Sequence, residues 1–296
     1  MSYVKRLNKA FANAPVLPLG LDSRYVLFSD CHRGNGSSND NFLKNQHLYF
    51  AALQYYFQRG YTYIELGDGD ELWENRSMEQ IIDVHSNAFW MMARFYQQGR
   101  LHLLFGNHDM VKKYARYTSR TCSSYFCTQQ QNQAPLFPNL QVQEACILED
   151  NLLGPVLYLT HGHQADLWNS VFWRVTRSLV RYLWGPLERL GFLDPTSAAK
   201  NYKVKEKTEK RLVAWAKAHH CLLICGHTHR PMIGSAQSPY CNTGSCVHPR
   251  CITCLELRCR KLTLVKWSML TRGDGSLYVG REELTESVGV GEVFGG

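Results

Sequence analysis

Five short apolar runs along the chain each end in a small polar cluster, and this recurrence constrains the fold more than any other feature. Tyr25–Ser29 runs into Ser29-Asp30-Cys31-His32, and Tyr61–Leu66 into Gly67-Asp68. Leu101–Phe105 runs into Gly106-Asn107-His108-Asp109, and Val156–Thr160 into His161-Gly162-His163. Cys221–Cys225 runs into Gly226-His227-Thr228-His229. Apolar runs of about 4–8 residues, rich in β-formers, read as buried strands. Helical stretches separate the first three: Asn41–Arg59, closed by Gly60, and Met78–Gln98, closed by Gly99. Strands alternating with helices predict βαβ units and a largely parallel sheet. Ligands of such sheets bind beyond the carboxyl ends of the strands, so the five clusters should converge on one rim.

A chain of 296 residues has room for a large core. With 45% hydrophobic and 20% charged residues it is not a disordered or low-complexity sequence. Its apolar runs fall far short of the ~20 residues a membrane span needs. Met1–Leu21 holds no unbroken apolar segment of the kind a secretory signal requires. The expected location is therefore cytoplasmic, with the 11 cysteines reduced. An odd count agrees, since any complete disulfide set would leave one over.

The rest of the chain divides less sharply. Residues 111–150 carry a weak pattern, with Gln129–Gln133 as a surface loop. Tyr240–Cys241, Cys251–Arg258 and Leu262–Trp267 follow one another without intervening helices and predict a second, antiparallel sheet. Residues 164–219 exceed what a crossover needs and read as an inserted helical cap. The core is then 1–163 and 220–283, and 284–296 is a flexible, glycine-rich tail. The cap holds 11 basic and 5 acidic residues, so +6 of the chain's net +8 lies there.

The rim inventory is Asp30, His32, Asp68, Asn107, His161, His227 and His229. Carboxylate, amide oxygen and imidazole without thiolate suit borderline divalent ions such as Mn, Fe or Zn. The set is too large for one tetrahedral ion and suits two ions about 3.5–4 Å apart sharing a carboxylate. Cys31, between two candidate ligands, should point into the core, because alternate residues of an extended segment face opposite ways. Cys251-x-x-Cys254 is half of a zinc-ribbon pattern that Cys241 and Cys246 could complete. Its strand-like alternation favours buried thiols instead. His47, His85, His102, His219, His220 and His248 carry no such pattern.

These clusters, in this order over residues 25 to 245, resemble the calcineurin-like metallophosphoesterases. The resemblance implies a four-layer α/β/β/α sandwich. It implies that Asp30, His32 and His229 bind one divalent metal, Asn107, His161 and His227 a second, and Asp68 both. Mn²⁺ heads the candidates, with Fe and Zn behind. A hydroxide held between the ions would attack phosphorus in line. His108 would serve the leaving oxygen, and Asp109 would orient its ring. Arg33 and His163 are candidate substrate contacts.

Gly67-Asp68-Gly69-Asp70-Glu71-Leu72-Trp73, Gly226-His227-Thr228-His229-Arg230-Pro231 and Asn242-Thr243-Gly244-Ser245 look most like the UDP-2,3-diacylglucosamine pyrophosphatase branch, which also carries a helical insertion. Better-known members of that branch often have Arg where this chain has His108.

On a helical wheel over Leu167–Trp184, Ser170, Arg174, Arg177, Ser178 and Arg181 share one narrow face. Trp168, Phe172, Trp173, Leu179, Val180, Leu183 and Trp184 fill the rest. The pattern suits a membrane surface or an acyl-chain groove, and equally a cap helix packed on the core. Val204, Thr208, Leu212 and Trp215 mark a second cap helix, and Lys203, Lys205, Lys207 and Lys210 its solvated face. Arg174, Arg177 and Arg181 are candidate contacts to the anionic part of the substrate.

The expected activity is hydrolysis of a phosphodiester or pyrophosphate in a phosphorylated small molecule or lipid-linked substrate, with peripheral contact at the inner membrane surface through the cap. A nuclease or nucleotide phosphodiesterase with nucleic acid on the basic cap comes second, and a serine/threonine phosphatase third. A metal-binding scaffold docking a partner through the cap is the non-enzyme alternative. No obligate protein partner is inferred.

Overall fold

The computed structural model describes residues 1–127, 131–152, 154–184 and 201–293. In chain order these form α1 (Tyr3–Ala12), β1 (Val16–Leu19), β2 (Arg24–Phe28), α2 (Gln46–Gln58), β3 (Thr62–Leu66), α3 (Met78–Val84), α4 (Ser86–Gln97) and β4 (Leu101–Leu104). Then follow α5 (Ala115–Thr121), β5 (Ser124–Cys127), β6 (Asn132–Pro135), β7 (Ala145–Asp150), β8 (Gly154–Thr160), α6 (Leu167–Ser170) and α7 (Trp173–Leu179). The last third holds α8 (Tyr202–Ala218), β9 (Leu222–Cys225), β10 (Tyr240–Asn242), β11 (Cys251–Arg258), β12 (Lys261–Thr271), β13 (Leu277–Glu283) and β14 (Val288–Gly289).

Two sheets face each other. The larger runs β13-β12-β11-β2-β3-β4, with β14 beside β12, and the smaller runs β1-β7-β8-β9-β10. Side-chain alternation explains why the strand sequences are apolar throughout. In β2, Tyr25 and Leu27 point between the sheets, while Val26 and Phe28 point outward beneath α2 and α4. In β9, Leu222 and Ile224 point between the sheets, while Leu223 and Cys225 point outward against α1 and α8. Both strands are buried on both faces, which yields the α/β/β/α layering.

Several expectations need correction. The strands expected to form a second, antiparallel sheet do not form one by themselves. β11 and β12 pair antiparallel but extend the β2-β3-β4 sheet through β11–β2 pairing, while β10 joins the other sheet parallel to β9. The rim therefore draws on two facing sheets instead of one. Met78–Gln98 is two helices, broken where His85 turns inward to place Nε2 2.8 Å from Asp40 Oδ2. Asn41–Lys44 is a 3₁₀ turn, and α2 begins only at Gln46. The expected loop at Gln129–Gln133 lies partly outside the described residues; its end joins the β5–β6 hairpin.

The second cap helix is α8, and it belongs to the core. Leu212, Trp215 and Ala216 pack with Leu7 and Phe11 of α1 and Leu223 of β9. The smaller sheet needs an outer layer, and α1 alone is too narrow to supply it. The tail is also ordered further than expected. Val288 pairs with Leu262, and Val290, 2% exposed, closes the edge between the sheets. The expected helix over Leu167–Trp184 breaks at Val171–Phe172 and ends in a π-helical turn from Val180. Trp173 and Val180, expected to face outward, are buried. The Trp184 side chain lies outside the described residues. Cys31, Cys241, Cys246 and Cys254 are fully buried free thiols, and no cysteine joins a metal-capable group among the described residues.

Candidate metal centre

The first three clusters leave the carboxyl ends of the parallel neighbours β2, β3 and β4; the last two leave β8 and β9 of the facing sheet. Beyond the strand ends the loops still run side by side. Asp30 N–H donates to Gly67 O at 3.1 Å, His32 N–H to Asp68 O at 2.9 Å, and Gly226 N–H to His161 O at 3.0 Å. Such tight turning forces unusual backbone. Asp30, His32, Asp68, His227 and His229 all have left-handed φ, between 47° and 68°. Non-glycine residues adopt that region at a cost, and it clusters where side chains must be aimed. Close approach explains one glycine: a Cβ on Gly226 would sit 2.3 Å from Asp30 Oδ2.

The donors gather in two adjoining groups, Asp30 with His32 and His229, and Asp68 with His161 and His227. Asp30 Oδ1 lies 3.0 Å from His229 Nε2, and Asp68 Oδ2 lies 3.1 Å from His161 Nε2 and 3.8 Å from His32 Nε2. Asp68 thus faces both groups. Several buried atoms here have no hydrogen-bond partner: Asn107 Oδ1, His161 Nε2 and His227 Nε2. Orphaned buried polar atoms are costly, and His161 Nε2 and His227 Nε2 gather within 4.8 Å of the Asp68 carboxylate, a donor set suited to a cation. The other ring nitrogens are already used. His161 Nδ1 lies 3.0 Å from Leu66 O and His32 Nδ1 2.8 Å from Glu71 Oε2, which turns each Nε2 into the rim. The residues present fit a pair of divalent ions.

Electrostatics agree. Burial opposes the His32 cation, yet Glu71, Asp68 and Asp30 outweigh it and lift His32 to about 10. Burial opposes the His161 cation too, but Asp68 and Asp30 raise it to about 9. Burial and the His161 charge push His227 down to about 3. Burial resists ionisation of Asp68, yet its histidine neighbours hold it well below the usual carboxylate range.

Beside this centre stands His108. Its backbone N–H donates to Asp68 Oδ1 at 2.8 Å, and its ring stacks on Trp73 with centroids 4.1 Å apart. Its Nδ1 lies 2.8 Å from Glu71, which also holds His32. Asp109 does not orient this ring, as the sequence led us to expect. Its oxygens accept from Gly106 N–H at 2.7 Å, Gly69 N–H at 3.2 Å and Lys112 Nζ at 2.9 Å, fastening the loop after β3 to the loop after β4. Glu71 is the residue the sequence reading missed. It stands three positions after Asp68, inside the Gly67–Trp73 run, one helical or turn step from the ligand. Lys112 was missed too, since a buried lysine has no local signature.

The candidate substrate contacts fare unevenly. Arg33 is fully buried, with Nη1 and Nη2 each 2.8 Å from Glu65 oxygens and Nε 2.7 Å from Asp70. Fully buried, it braces the loops and is not open to phosphate. Arg181 turns Nε and Nη2 to backbone carbonyls of the 72–75 loop. Arg174 donates to the Tyr114 hydroxyl at 3.1 Å, and Arg177 lies over the Trp173 ring. His163 is buried with its ring centroid 5.6 Å from that of His161, and its Nδ1 has no partner. Burial and the neighbouring His161 and His227 keep it neutral.

The model of the family described as calcineurin-like phosphoesterase matches residues 23–231. No curated protein matches the sequence. Among solved structures, a mutant of a cold-active protein tyrosine phosphatase is similar at 18% identity and a TM-score of 0.42, over 91% of this chain and 82% of that one. No described helix is long and apolar enough to cross a membrane.

Proposed function

Since the chain belongs to the calcineurin-like phosphoesterase family, we propose that it hydrolyses a phosphodiester or pyrophosphate bond in a substrate with an apolar end, as in the UDP-2,3-diacylglucosamine pyrophosphatase branch. Asp30, His32 and His229 would hold one divalent ion, Asn107, His161 and His227 the other, and Asp68 both. When bound, such ions neutralise phosphoryl charge and make a water nucleophilic near neutral pH. Manganese suits the mixed carboxylate and imidazole set. The observation carrying the reading is the gathering of donor atoms from Asp68, His161 and His227 within 4.8 Å of one another, beside an equally close set from Asp30, His32 and His229.

The chain's own groups do the rest. Asp68 fixes the His108 backbone and Glu71 fixes its Nδ1, leaving Nε2 as the atom that delivers a proton to the leaving oxygen. His163, neutral and beside His161, would donate a ring N–H to a phosphoryl oxygen. Leu167, Trp168, Val171, Phe172 and Val175 are all at least 42% exposed on α6 and α7, an apolar surface that suits an acyl chain or the face of a membrane. Arg174 and Arg177 remain at its border.

Hydrolysis of a panel in Mn²⁺ tests the reading. The panel is a UDP-linked acylated sugar, a plain nucleoside diphosphate sugar, single-stranded DNA and a phosphopeptide. The acylated substrate should be fastest. DNA turning over best, with activity falling as salt rises, would replace this reading with the nuclease one.

A further inference from the structure

Arg181 stands at the π-helical turn that ends α7, yet its guanidinium is spent on a loop far away in sequence. Nε donates to Trp73 O at 2.6 Å, and Nη2 donates to Leu72 O at 2.7 Å and Asn75 O at 3.2 Å. One side chain thus caps three carbonyls of a single turn. Its neighbour reinforces the contact from the other side: Arg76 Nη2 donates to the Tyr182 hydroxyl at 2.7 Å.

That turn carries the groups that orient the rim histidines. Glu71 holds the Nδ1 atoms of both His32 and His108. Trp73 lies flat on His108. The turn also meets the core, where Glu71 N–H donates to Arg33 O at 3.0 Å and Asn39 Nδ2 to Glu74 Oε2 at 3.3 Å, and it is knitted to itself. Trp73 N–H donates to Glu71 Oε1 at 3.2 Å, Glu74 N–H to the same oxygen at 3.3 Å, and Asn75 Nδ2 to Glu71 O at 2.9 Å. On its other side, Arg181 ties this turn to the cap. A guanidinium offers five donors in a rigid fork, so it can fix three carbonyls in one arrangement where an ammonium cannot.

We infer that Arg181 is a positioning residue that couples the cap to the rim: it holds the 71–75 turn, and through Glu71 and Trp73 it sets the orientation of His108. A substrate whose apolar end settles on α6 and α7 would steady this tie, so such substrates gain in turnover as well as in affinity. The inference rests on the phosphoesterase reading for its kinetic consequence, though the tie itself does not.

The experiment compares the full chain with Arg181→Ala and Arg181→Lys in Mn²⁺. The substrate is bis(4-nitrophenyl) phosphate, too small to need the cap. A positioning role lowers kcat at least about tenfold in Arg181→Ala, leaves KM within about twofold, and leaves Arg181→Lys in between. Unchanged kcat, or a rise in KM alone, overturns it and returns Arg181 to a substrate contact. Histidine-selective ¹⁵N NMR decides the tie even where no ester turns over. The His108 and His32 ring signals should shift in Arg181→Ala and move back in Arg181→Lys. Signals that stay put in both variants overturn the inference, whereas a wild-type chain inactive on every ester removes only the phosphoesterase reading.

Discussion

The rim and the cap are built on opposite terms. At the rim, Asp30, Asp68, Asn107, His161 and His227 are at most 4% exposed, and five of the seven metal-donor candidates sit in left-handed backbone. Hydrogen bonds across neighbouring loops hold Asp30, Asp68, His161 and His227, while Asn107 Oδ1 and His227 Nε2 lack partners. On the cap, Trp168 is 54% exposed, Val175 52% and Tyr182 65%, and α6 is a single turn. The rim invests strain and burial to fix atoms; the cap keeps apolar surface in water. Strained, buried sites persist where the surrounding structure over-determines them, and apolar surface persists where something covers it part of the time. Substitutions at the rim should therefore act through chemistry and folding, and those on the cap's exposed apolar surface through substrate range.

The largest effect expected is at Asp68. Asp68→Asn removes the charge shared by both donor groups while keeping its shape. Activity should fall at least about 10³-fold, because several kcal/mol of metal-derived stabilisation is lost. Elemental analysis should find the metal content reduced. Full occupancy of two ions would show that Asp68 does not join the groups, and would blur the contrast at its centre.

Behind the donors, Arg33 tests whether burial itself is part of the design. Arg33→Met leaves Glu65 and Asp70 buried without their main cation, which costs about 3–5 kcal/mol when one partner of a buried pair is removed. Denaturant melts should show that loss in the midpoint. A stability change under about 1 kcal/mol would mean that Lys112 alone compensates the acidic groups.

Glu71→Gln should have a smaller and cleaner effect. The amide can still accept from one ring but no longer holds both His32 and His108 by charge. Partners of this kind are worth about 10–100-fold in activity or metal affinity. Stopped-flow turnover beside metal titration separates the two, and a drop confined to turnover would assign the glutamate chiefly to His108.

How much of this was legible in the sequence follows from the same contrast. The five clusters could be read because each donor must be one of few residue types, at the end of a strand whose apolar run is itself a signal. The four layers followed from the family resemblance that those clusters carry. What sequence missed was spatial. Arg33, next to a ligand, looked available to phosphate, but its partners Glu65 and Asp70 come from the next strand and its loop. Asp109 follows His108 directly, yet the ring turns the other way, to Glu71. α8 was counted with the insertion because its amphipathic pattern says that one face is buried and not against what. On the larger sheet, the hairpin of β11 and β12 could not reveal by itself that it would pair with β2.

The smallest effect, and the sharpest test of the contrast, lies on the cap. Trp168→Glu combined with Phe172→Glu replaces exposed apolar surface, so stability should stay within about 0.5 kcal/mol. Trp173 cannot serve here, since it is buried under Lys113, Arg174 and Arg177 and its loss would disturb folding. The double variant should hydrolyse bis(4-nitrophenyl) phosphate at the wild-type rate, because no rim atom moves. It should lose rate on an acylated substrate and fail to float with vesicles of mixed zwitterionic and anionic lipid. Equal loss on both substrates would mean that the cap reaches the rim through more than Arg181. No loss on either would mean that the exposed aromatics serve neither acyl chain nor membrane, leaving the two regions with less to distinguish them than their burial suggests.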